Sequence, residues 1–287
     1  MRTLITGRAR TALLTAFAMV AFAANSVLCR LALGGKAIDA AGFTAIRIGS
    51  GALTLALIAG ASRRSSRRSG TWTSGLMLAL YAVAFSFAYL NLSTGTGALI
   101  LFGWVQLTMI MSAIRSGEHL HAIHWAGIVI AFSGLVYLVF PGVTAPSPEG
   151  AALMAAAGIA WGVYSARGRG ATDPVSATSG NFLRAVPFAV VPALLFITQL
   201  HAAPRGILLA AVSGALTSGV GYVLWYAALK GLTSTRAAVV QLSVPVLAAL
   251  GGVLLMAEPV SSRLAVSAIA TLGGVGMTVF ARERRAG

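Results

Sequence analysis

The chain has 287 residues, of which 57% are hydrophobic and only 9% are charged. Soluble domains carry about 25% charged residues, so this composition excludes an ordinary water-soluble fold of this length. The formal net charge of +15 leaves two interpretations, nucleic-acid binding or the basic loops of a membrane protein, and the positions of the basic residues decide between them.

Hydrophobic windows of the length of a membrane span follow one another along the whole chain. A helix of about 20 residues crosses the hydrocarbon core of a bilayer. Such windows lie near 11–32, 40–60, 72–92, 95–114, 123–140, 150–167, 176–199, 206–229, 233–256 and 263–281. Backbone amides in lipid need internal partners, and the alternation of barrel strands is not present. The sequence therefore predicts an all-α integral membrane protein with ten transmembrane helices.

The first window has a basic flank that resembles the start of a signal peptide. Arg2, Arg8 and Arg10 precede the apolar run, but the run continues past Val27 and includes the polar Asn25. Both features favour an uncleaved first span over a short export signal. A lone cysteine, Cys29, excludes an internal disulfide.

The plan of the first five windows is repeated in the second five, about 140 positions later. Glu118 is matched by Glu258, and Gly134 by Gly274. Because each copy holds an odd number of spans, the second must enter the membrane from the opposite side, as in the inverted repeats of transporters. We therefore predict a first repeat over 1–142, a linker over 143–148 that contains two prolines, and a second repeat over 149–287.

The basic residues fall mainly on one side of this ten-span topology. With the N-terminus inside, the cytoplasmic loops receive most of them, while the outer side receives Arg30, Lys36, Arg205 and Arg263. This asymmetry follows the positive-inside rule and places both termini in the cytoplasm, with a bacterial inner membrane as the expected location. The basic loops then contact anionic lipid, and nucleic-acid binding is disfavoured.

Two sets of segments in the chain have a recognisable pattern. The second half has 224–230, 233–238, Pro245, Glu258 and 273–274, and the first half has 89–97, Glu118 and Gly134. Both sets resemble the EamA domains of the drug/metabolite transporter superfamily, and Arg47 and Arg184 match that family's arginine in the second helix of each half. Segments 24–30, 45–52 and 96–103 further resemble the YddG-type aromatic amino acid exporters. The resemblance implies export of amino acids through a central cavity, with Asn25 and Gln241 on helices that surround it.

One departure from the family pattern concerns proline. Val105 stands where the second half has Pro245. Proline lacks a backbone donor and breaks helices, so the first-half helix is expected to be straighter than its counterpart.

Three amides lie at or near mid-span: Asn25, Gln106 and Gln241. An unpaired amide in lipid costs a few kcal/mol, so each should face other helices or a wet cavity. Lining of the cavity and packing between helices remain equally open for each of them. As candidates they form the polar part of a substrate site.

Aromatic residues provide the apolar part of the candidate site. Tyr81, Phe85 and Tyr89 share one helical face at four-residue spacing. Aromatic rings together with a few amides suit a substrate with an apolar side chain and a polar backbone, whereas interfacial aromatics are the alternative. The remaining candidates are Trp104, Trp161, Tyr164, Tyr222 and Trp225.

Arg47, Arg184, Pro245, Glu118 and Glu258 are candidates for gating or structural roles. The arginines are costly in a membrane unless paired or wet, and both lie close enough to span ends to snorkel toward opposite faces. We favour contacts that hold a helix end or a gate over direct binding of a substrate carboxylate. The glutamates lie at span ends and are interpreted as structural.

The distribution of acidic residues bears on energy coupling. Each Asp and Glu falls at a span end or in a loop, which favours uncoupled facilitated diffusion; a proton-coupled drug/metabolite efflux pump is the alternative.

His119, His121 and His124 are interpreted as part of a solvated loop rather than as a metal site. No cofactor and no obligatory protein partner is expected, and the chain lacks the HExxH and GxSxG motifs of enzymes. Paired glycines suit alternating access around a central small-molecule site.

Overall fold

The computed structural model describes residues 2–62, 69–115, 122–140, 145–232 and 234–280. Within them, regular secondary structure is helical, and one isolated bridge joins Ile38 to Ala202. The α-helices are α1 (Arg2–Gly34), α2 (Ala40–Ala61), α3 (Trp72–Ala88), α4 (Thr94–Arg115), α5 (Ala122–Val139), α6 (Pro148–Gly168), α7 (Pro174–Leu195), α8 (Pro204–Val212), α9 (Gly221–Leu229), α10 (Ser234–Val240), α11 (Ser243–Met256) and α12 (Ser262–Phe280). A π-helix, Ser213–Val220, joins α8 to α9.

Among the described residues, six helical stretches are long and apolar enough to cross a membrane: Ala9–Gly34, Ala40–Ala61, Thr94–Ser112, Pro174–Leu195, Pro204–Leu229 and Arg236–Met256. Two shorter apolar helices, Trp72–Ala88 and Ala122–Leu138, accompany them. Large apolar side chains such as Leu13, Phe17 and Leu254 are exposed on the outside of the bundle. An apolar exterior of this extent suits a lipid environment.

Helix starts are fixed by short polar side chains. Asp39 Oδ1 accepts a hydrogen bond from Gly42 N at 2.7 Å at the start of α2. Thr71, Ser147 and Asp173 cap α3, α6 and α7 in the same way. Each cap satisfies a backbone donor that has no partner within its helix.

Two of the predicted spans differ in extent from the helices. The window 72–92 ends as a helix at Ala88, because the backbone then turns, with hydrogen bonds from Leu90 N to Phe87 O and from Asn91 N to Ala88 O. The window 176–199 ends at Leu195 and continues as one turn of 3₁₀ helix, Ile197–Gln199.

The difference expected from Pro245 is present. α4 runs without interruption from Thr94 to Arg115, whereas the corresponding stretch of the second half is divided at Gln241 and Leu242 into α10 and α11. Pro245 follows Gln241 by four residues and has no N–H to complete the α-helical bond to the Gln241 carbonyl, which accepts instead from Val244 N at 3.1 Å. The break therefore follows from the proline.

The helices pack in pairs that link the two halves of the chain. α3 packs on α6 and α7, α2 on α7 and the π-helix, α4 on α6 and α11, and α1 on α9 and α11. We call the end of the bundle where α1 begins the near end, and the end where α1 finishes the far end. Thr11 meets Gly231 at the near end, and Asp39 N donates to His201 O at 3.1 Å at the far end.

α5 and α12 pack mainly on each other through small residues. A Cβ on Gly134 would lie 2.7 Å from Thr271 Oγ1, and a Cβ on Gly274 would lie 2.5 Å from Ala131 N. Thr271 also donates to the Ala131 carbonyl at 3.4 Å, across a sequence separation of 140. The crossing is therefore reciprocal: Gly134 meets Thr271, the counterpart of Ala131, and Ala131 meets Gly274, the counterpart of Gly134.

Candidate substrate-binding site

Arg47 lies two turns into α2, and its side chain is fully buried. Nε donates to Ser218 Oγ at 2.9 Å, and Nη2 donates to the hydroxyls of Tyr222 at 2.8 Å and Tyr81 at 3.2 Å. The guanidinium carbon lies 5.1 Å from the centroid of the Tyr81 ring and 5.0 Å from that of Phe85. Arg47 does not extend toward a membrane face, because α3, the π-helix and α9 hold it inside the bundle.

Asn25 joins the same polar network from α1. Its Oδ1 accepts hydrogen bonds from Ser213 at 2.6 Å, Thr217 at 3.3 Å and Ser218 at 3.4 Å. Its Nδ2 donates to the Tyr81 hydroxyl at 3.2 Å. All three hydroxyl donors belong to the π-helix, a widened turn that often marks functional sites. The amide and the arginine are thus bridged by one short segment.

Two glycines allow α2 to approach the π-helix closely enough for this network. A Cβ on Gly51 would lie 2.9 Å from Gly214 O, and a Cβ on Gly214 would overlap the Arg47 carbonyl and the Ser50 hydroxyl. Such small-residue crossings let backbones pack closely. The close approach places Arg47 beside Ser218.

An aromatic cluster, consisting of Phe22, Tyr81, Trp161, Tyr222 and Trp225, adjoins the polar network. The Phe22 ring lies 5.2 Å from Trp161 and 5.7 Å from both Tyr222 and Trp225. Trp161 lies 5.0 Å from Tyr81 and 4.5 Å from Tyr222. All five side chains are buried. Edge and tilted contacts at these separations are favourable, and the five rings fill the centre of the bundle.

Gln241 meets the aromatic cluster from the break between α10 and α11. Its Oε1 accepts a hydrogen bond from Trp161 Nε1 at 3.1 Å, and its Nε2 donates to Ala237 O at 3.1 Å. Tyr164 stacks on Trp161 at 5.4 Å. Trp225 Nε1 donates to Ser165 Oγ at 3.2 Å. The structure therefore brings Gln241, Asn25 and most of the candidate aromatics together.

Trp104 and Gln106 lie away from this centre. Trp104 is half-buried, with its ring 6.5 Å from Phe132 on α5. Gln106 Nε2 donates to the Ala238 carbonyl and so joins α4 to α10. This contact corresponds to the packing interpretation of Gln106 that the sequence left open.

Phe85 and Tyr89 extend from the centre toward the far end. Their rings lie 4.7 Å apart in an edge contact. Tyr89 is the C-terminal cap of α3, and its hydroxyl donates to Thr94 O at 3.3 Å. Phe85 therefore borders Arg47, whereas Tyr89 belongs to the contacts that close the far end.

An ion pair joins three connections at the far end. Arg30 Nε lies 3.2 Å from Glu258 Oε1, and Arg30 Nη1 donates to Tyr89 O at 3.1 Å. Glu258 Oε2 accepts from Thr94 N at 2.8 Å, at the first residue of α4. These contacts tie the end of α1 to the α3–α4 turn and to the α11–α12 connection.

The other predicted gating or structural residues are spread through the bundle. Arg184 donates to Ser69 O at 2.8 Å and Gly180 O at 2.9 Å, at the near end. Pro245 borders a cavity of about 200 Å³ together with Leu99. Glu118 lies outside the described residues.

A cavity of about 960 Å³ opens at the near end between α1 and the segment from α9 to α11. Its lining includes Thr11, Thr15, Met19, Arg236 and Leu247. Met19 precedes Phe22 by one helical turn, so the cavity ends directly below the aromatic cluster. The cluster separates this cavity from Arg47.

Sequence reasoning did not identify Phe22, Ser213, Thr217 or Ser218. Phe22 precedes Asn25 by three residues and shares its helix face, which was a usable signal. The sequence held no comparable signal for the three hydroxyl residues, because serine and threonine are common in membrane helices and often bond to their own backbone. In the described part of the chain, no group of three His, Cys, Asp or Glu residues could hold a metal ion; His119 and His121 lie outside it.

Comparisons with known proteins agree with this architecture. The model of the EamA-like transporter family matches residues 148–280. An uncharacterized protein of Pseudomonas aeruginosa is 49% identical over 96% of this chain and 97% of its own length. An uncharacterized transporter of Archaeoglobus fulgidus is 27% identical over 71% of this chain and 76% of its own. A crystal structure with 22% identity covers 91% of this chain and 96% of its own, with a TM-score of 0.65. The second half of the chain therefore belongs to the EamA-like transporter family, which points to a multi-pass membrane protein that moves a small molecule.

Proposed function

We propose that this protein exports amino acids, above all aromatic and other neutral ones, across a bacterial inner membrane. The observation that carries the proposal is the buried centre, where the aromatic cluster adjoins the network of Arg47 and Asn25. Ring faces suit an apolar side chain, and the polar network suits the charged backbone of an amino acid. The likeness of three segments to aromatic amino acid exporters points in the same direction.

The proposed architecture consists of ten membrane spans in two inverted repeats. The helix pairing supports it, because α3 packs on α6 as the stretch α8–α9 packs on α1, and α4 packs on α6 as α11 packs on α1. The reciprocal crossing of α5 and α12 also fits a two-fold relation. The positive-inside rule then makes the near end cytoplasmic and the far end external.

Alternating access is the proposed mechanism, and the two ends of the bundle support it. The far end is closed by the Arg30–Glu258 pair and by the bridge between Ile38 and Ala202. The near end holds the cavity of about 960 Å³. This arrangement suits a state that accepts substrate from the cytoplasm and must open the far end to release it.

Transport is proposed to be uncoupled from protons. Asp39 caps α2, Asp173 caps α7 and Glu258 pairs with Arg30, so these carboxylates act at helix ends. Proton relays use ionisable groups within the spans. Movement down the substrate gradient is then sufficient for export.

Flux from liposomes tests the proposal. Purified protein is reconstituted in liposomes loaded with phenylalanine, tryptophan, threonine, methionine, lysine or glutamate, with and without a pH gradient. We expect efflux of phenylalanine and tryptophan at equal rates in both conditions. Efflux of none of the six would refute the amino acid proposal, and strict dependence on the gradient would replace uncoupled transport by proton coupling.

A pair of tryptophan variants shows whether flux passes through the aromatic cluster. Trp161→Phe removes the donor to Gln241 while keeping a ring, and Trp125→Phe makes the same change on an exposed position of α5. We expect slower phenylalanine efflux in the first variant and unchanged efflux in the second. Equal rates in both would place the substrate path elsewhere.

A further inference from the structure

Arg47 is a buried cation whose hydrogen-bond partners are neutral. The acceptors of its bonds are the hydroxyls of Ser218, Tyr81 and Tyr222. Its Nη1 is buried and has no hydrogen-bond partner in the described part of the chain. Arg47 is also the one arginine or lysine among the buried residues described. Its charge is therefore solvated by hydroxyls and ring faces alone.

The carboxylates of the described residues are occupied at the two ends of the bundle. Asp39 accepts from Gly42 N and His201 N, and Glu258 pairs with Arg30. Asp173 caps α7, and Glu149 lies exposed on the first turn of α6. None of the four contacts Arg47. A guanidinium in this position lacks the anionic partner that offsets the loss of water around a buried charge.

Hydroxyls and aromatic rings offset only part of the free energy that the Arg47 charge loses when it is removed from water. Contacts between a cation and ring faces are favourable, and those of Arg47 with Tyr81 and Phe85 lie near 5 Å. Hydrogen bonds in which the donor or the acceptor is ionised are about twice as strong as neutral ones, and a carboxylate adds the attraction of opposite charges, which is strong away from water. An arriving carboxylate that bonds to Nη1 would therefore gain more here than any neutral ligand.

We propose that Arg47 binds the carboxylate of the transported substrate. The inference rests on the proposed function and names its recognition element: the substrate is a small monocarboxylate with an apolar or aromatic group. The planar guanidinium offers paired donors that match a carboxylate in geometry. Binding in the site neutralises the charge that the empty site holds unpaired.

The position of Arg47 relative to the cavity fits this role. Met19 borders the cavity, and Phe22, one turn further along α1, contacts Trp161, Tyr222 and Trp225. A carboxylate that passes Phe22 reaches the hydroxyls that bond to Arg47. The substrate's apolar group then stays among the rings of the aromatic cluster.

Acid and amide pairs test the proposal on the full-length protein in detergent. Affinity is measured by ligand-induced thermal stabilisation for 3-phenylpropionate against 3-phenylpropionamide, and for phenylalanine against phenylalaninamide. We expect the wild type to bind each acid at least about tenfold more tightly than its amide, the size of one charge-assisted contact. Arg47→Gln should reduce this preference to about one, and Arg47→Lys should retain part of it.

Arg184→Gln is the matched control, because it removes an arginine from the corresponding helix of the second half. Its acid-to-amide preference should equal that of the wild type. The proposal fails if the wild type binds acids and amides equally, a result that needs no variant to fold. It also fails if folded Arg47→Gln keeps the full preference.

The outcomes separate this proposal from the proposed function. Amino acid efflux with a preference that survives Arg47→Gln would overturn the carboxylate site and leave the exporter intact. Binding of 3-phenylpropionate that depends on Arg47, without efflux of any amino acid, would overturn the exporter and support the site.

Discussion

Arg47 and Arg184 occupy similar positions in the second helix of each half, yet their environments differ. Arg47 bonds to side chains of α3, the π-helix and α9 in the centre, whereas Arg184 bonds to backbone carbonyls at the near end. The sequence placed both within spans but could not separate them. The two arginines differ in the side chains that neighbouring helices bring to them, and a local sequence pattern does not specify those neighbours.

Glu258 offers a prediction at the scale of one residue. Its carboxylate bonds to both Arg30 and Thr94 N, with side chains 26% and 14% exposed for Arg30 and Glu258. Glu258→Gln keeps an acceptor but removes the charge from a partly buried pair. We expect the free energy of unfolding to fall by about 1–3 kcal/mol, measured by thermal denaturation in detergent.

Glu149→Gln provides the comparison, since Glu149 is exposed on the first turn of α6. Glu149→Gln should change the free energy of unfolding by no more than about 0.5 kcal/mol. A Glu258 variant as stable as the Glu149 variant would show that the far-end ion pair contributes little.

Hydropathy predicted where the helices lie, but not where they are interrupted by packing. The break before Pro245 was foreseeable, because proline removes a backbone donor. The π-helix Ser213–Val220 was not, since its residues have no distinctive pattern and its geometry depends on α2 and Asn25. The early end of α3 at Ala88 was hidden for a related reason: Tyr89, Leu90 and Leu92 continue the apolar run past the end of the helix.

Gly214→Ala tests the contact between α2 and the π-helix. The added Cβ would overlap the Arg47 carbonyl and the Ser50 hydroxyl. We expect a loss of about 1–3 kcal/mol of stability from overpacking, together with slower substrate efflux, because Arg47 moves from Ser218. Stability is followed by thermal denaturation and efflux in liposomes.

Gly49→Ala is a suitable control on the same helix, because a Cβ there meets no atom within 4 Å. It should leave both measurements unchanged. Normal efflux in Gly214→Ala would mean that the close crossing is not required for transport.

At the scale of the whole molecule, the 140-residue offset relates residues that meet where α5 crosses α12. Gly134 meets Thr271, and Gly274, its match in sequence, meets Ala131. The cavity at the near end could not be anticipated, since one sequence serves every state of the proposed alternating-access cycle and does not specify which end is closed.

A reversible crosslink tests whether the far end must open. Ala203 N donates to Ala37 O, and Asp39 N donates to His201 O, so Ile38 and Ala202 form a non-hydrogen-bonded pair. Such pairs have Cα atoms about 4.5 Å apart, which suits a disulfide. Oxidation of Ile38→Cys/Ala202→Cys, in a Cys29→Ser background, should reduce efflux to that of protein-free liposomes.

Reduction of the disulfide should restore efflux, and the two single-cysteine variants should be insensitive to oxidation. Full efflux through the oxidised protein would exclude a release path that requires these two connections to separate.

The reciprocal α5–α12 crossing has a thermodynamic consequence for the proposed alternating-access cycle. These helices bury their small residues mainly on each other, so the contact can persist while the inner helices exchange neighbours. A contact that is equal in both end states adds to the free energy of unfolding but cancels from the difference between those states. Substitutions at Gly134 or Gly274 should therefore lower the melting temperature without shifting the balance between inward-facing and outward-facing forms.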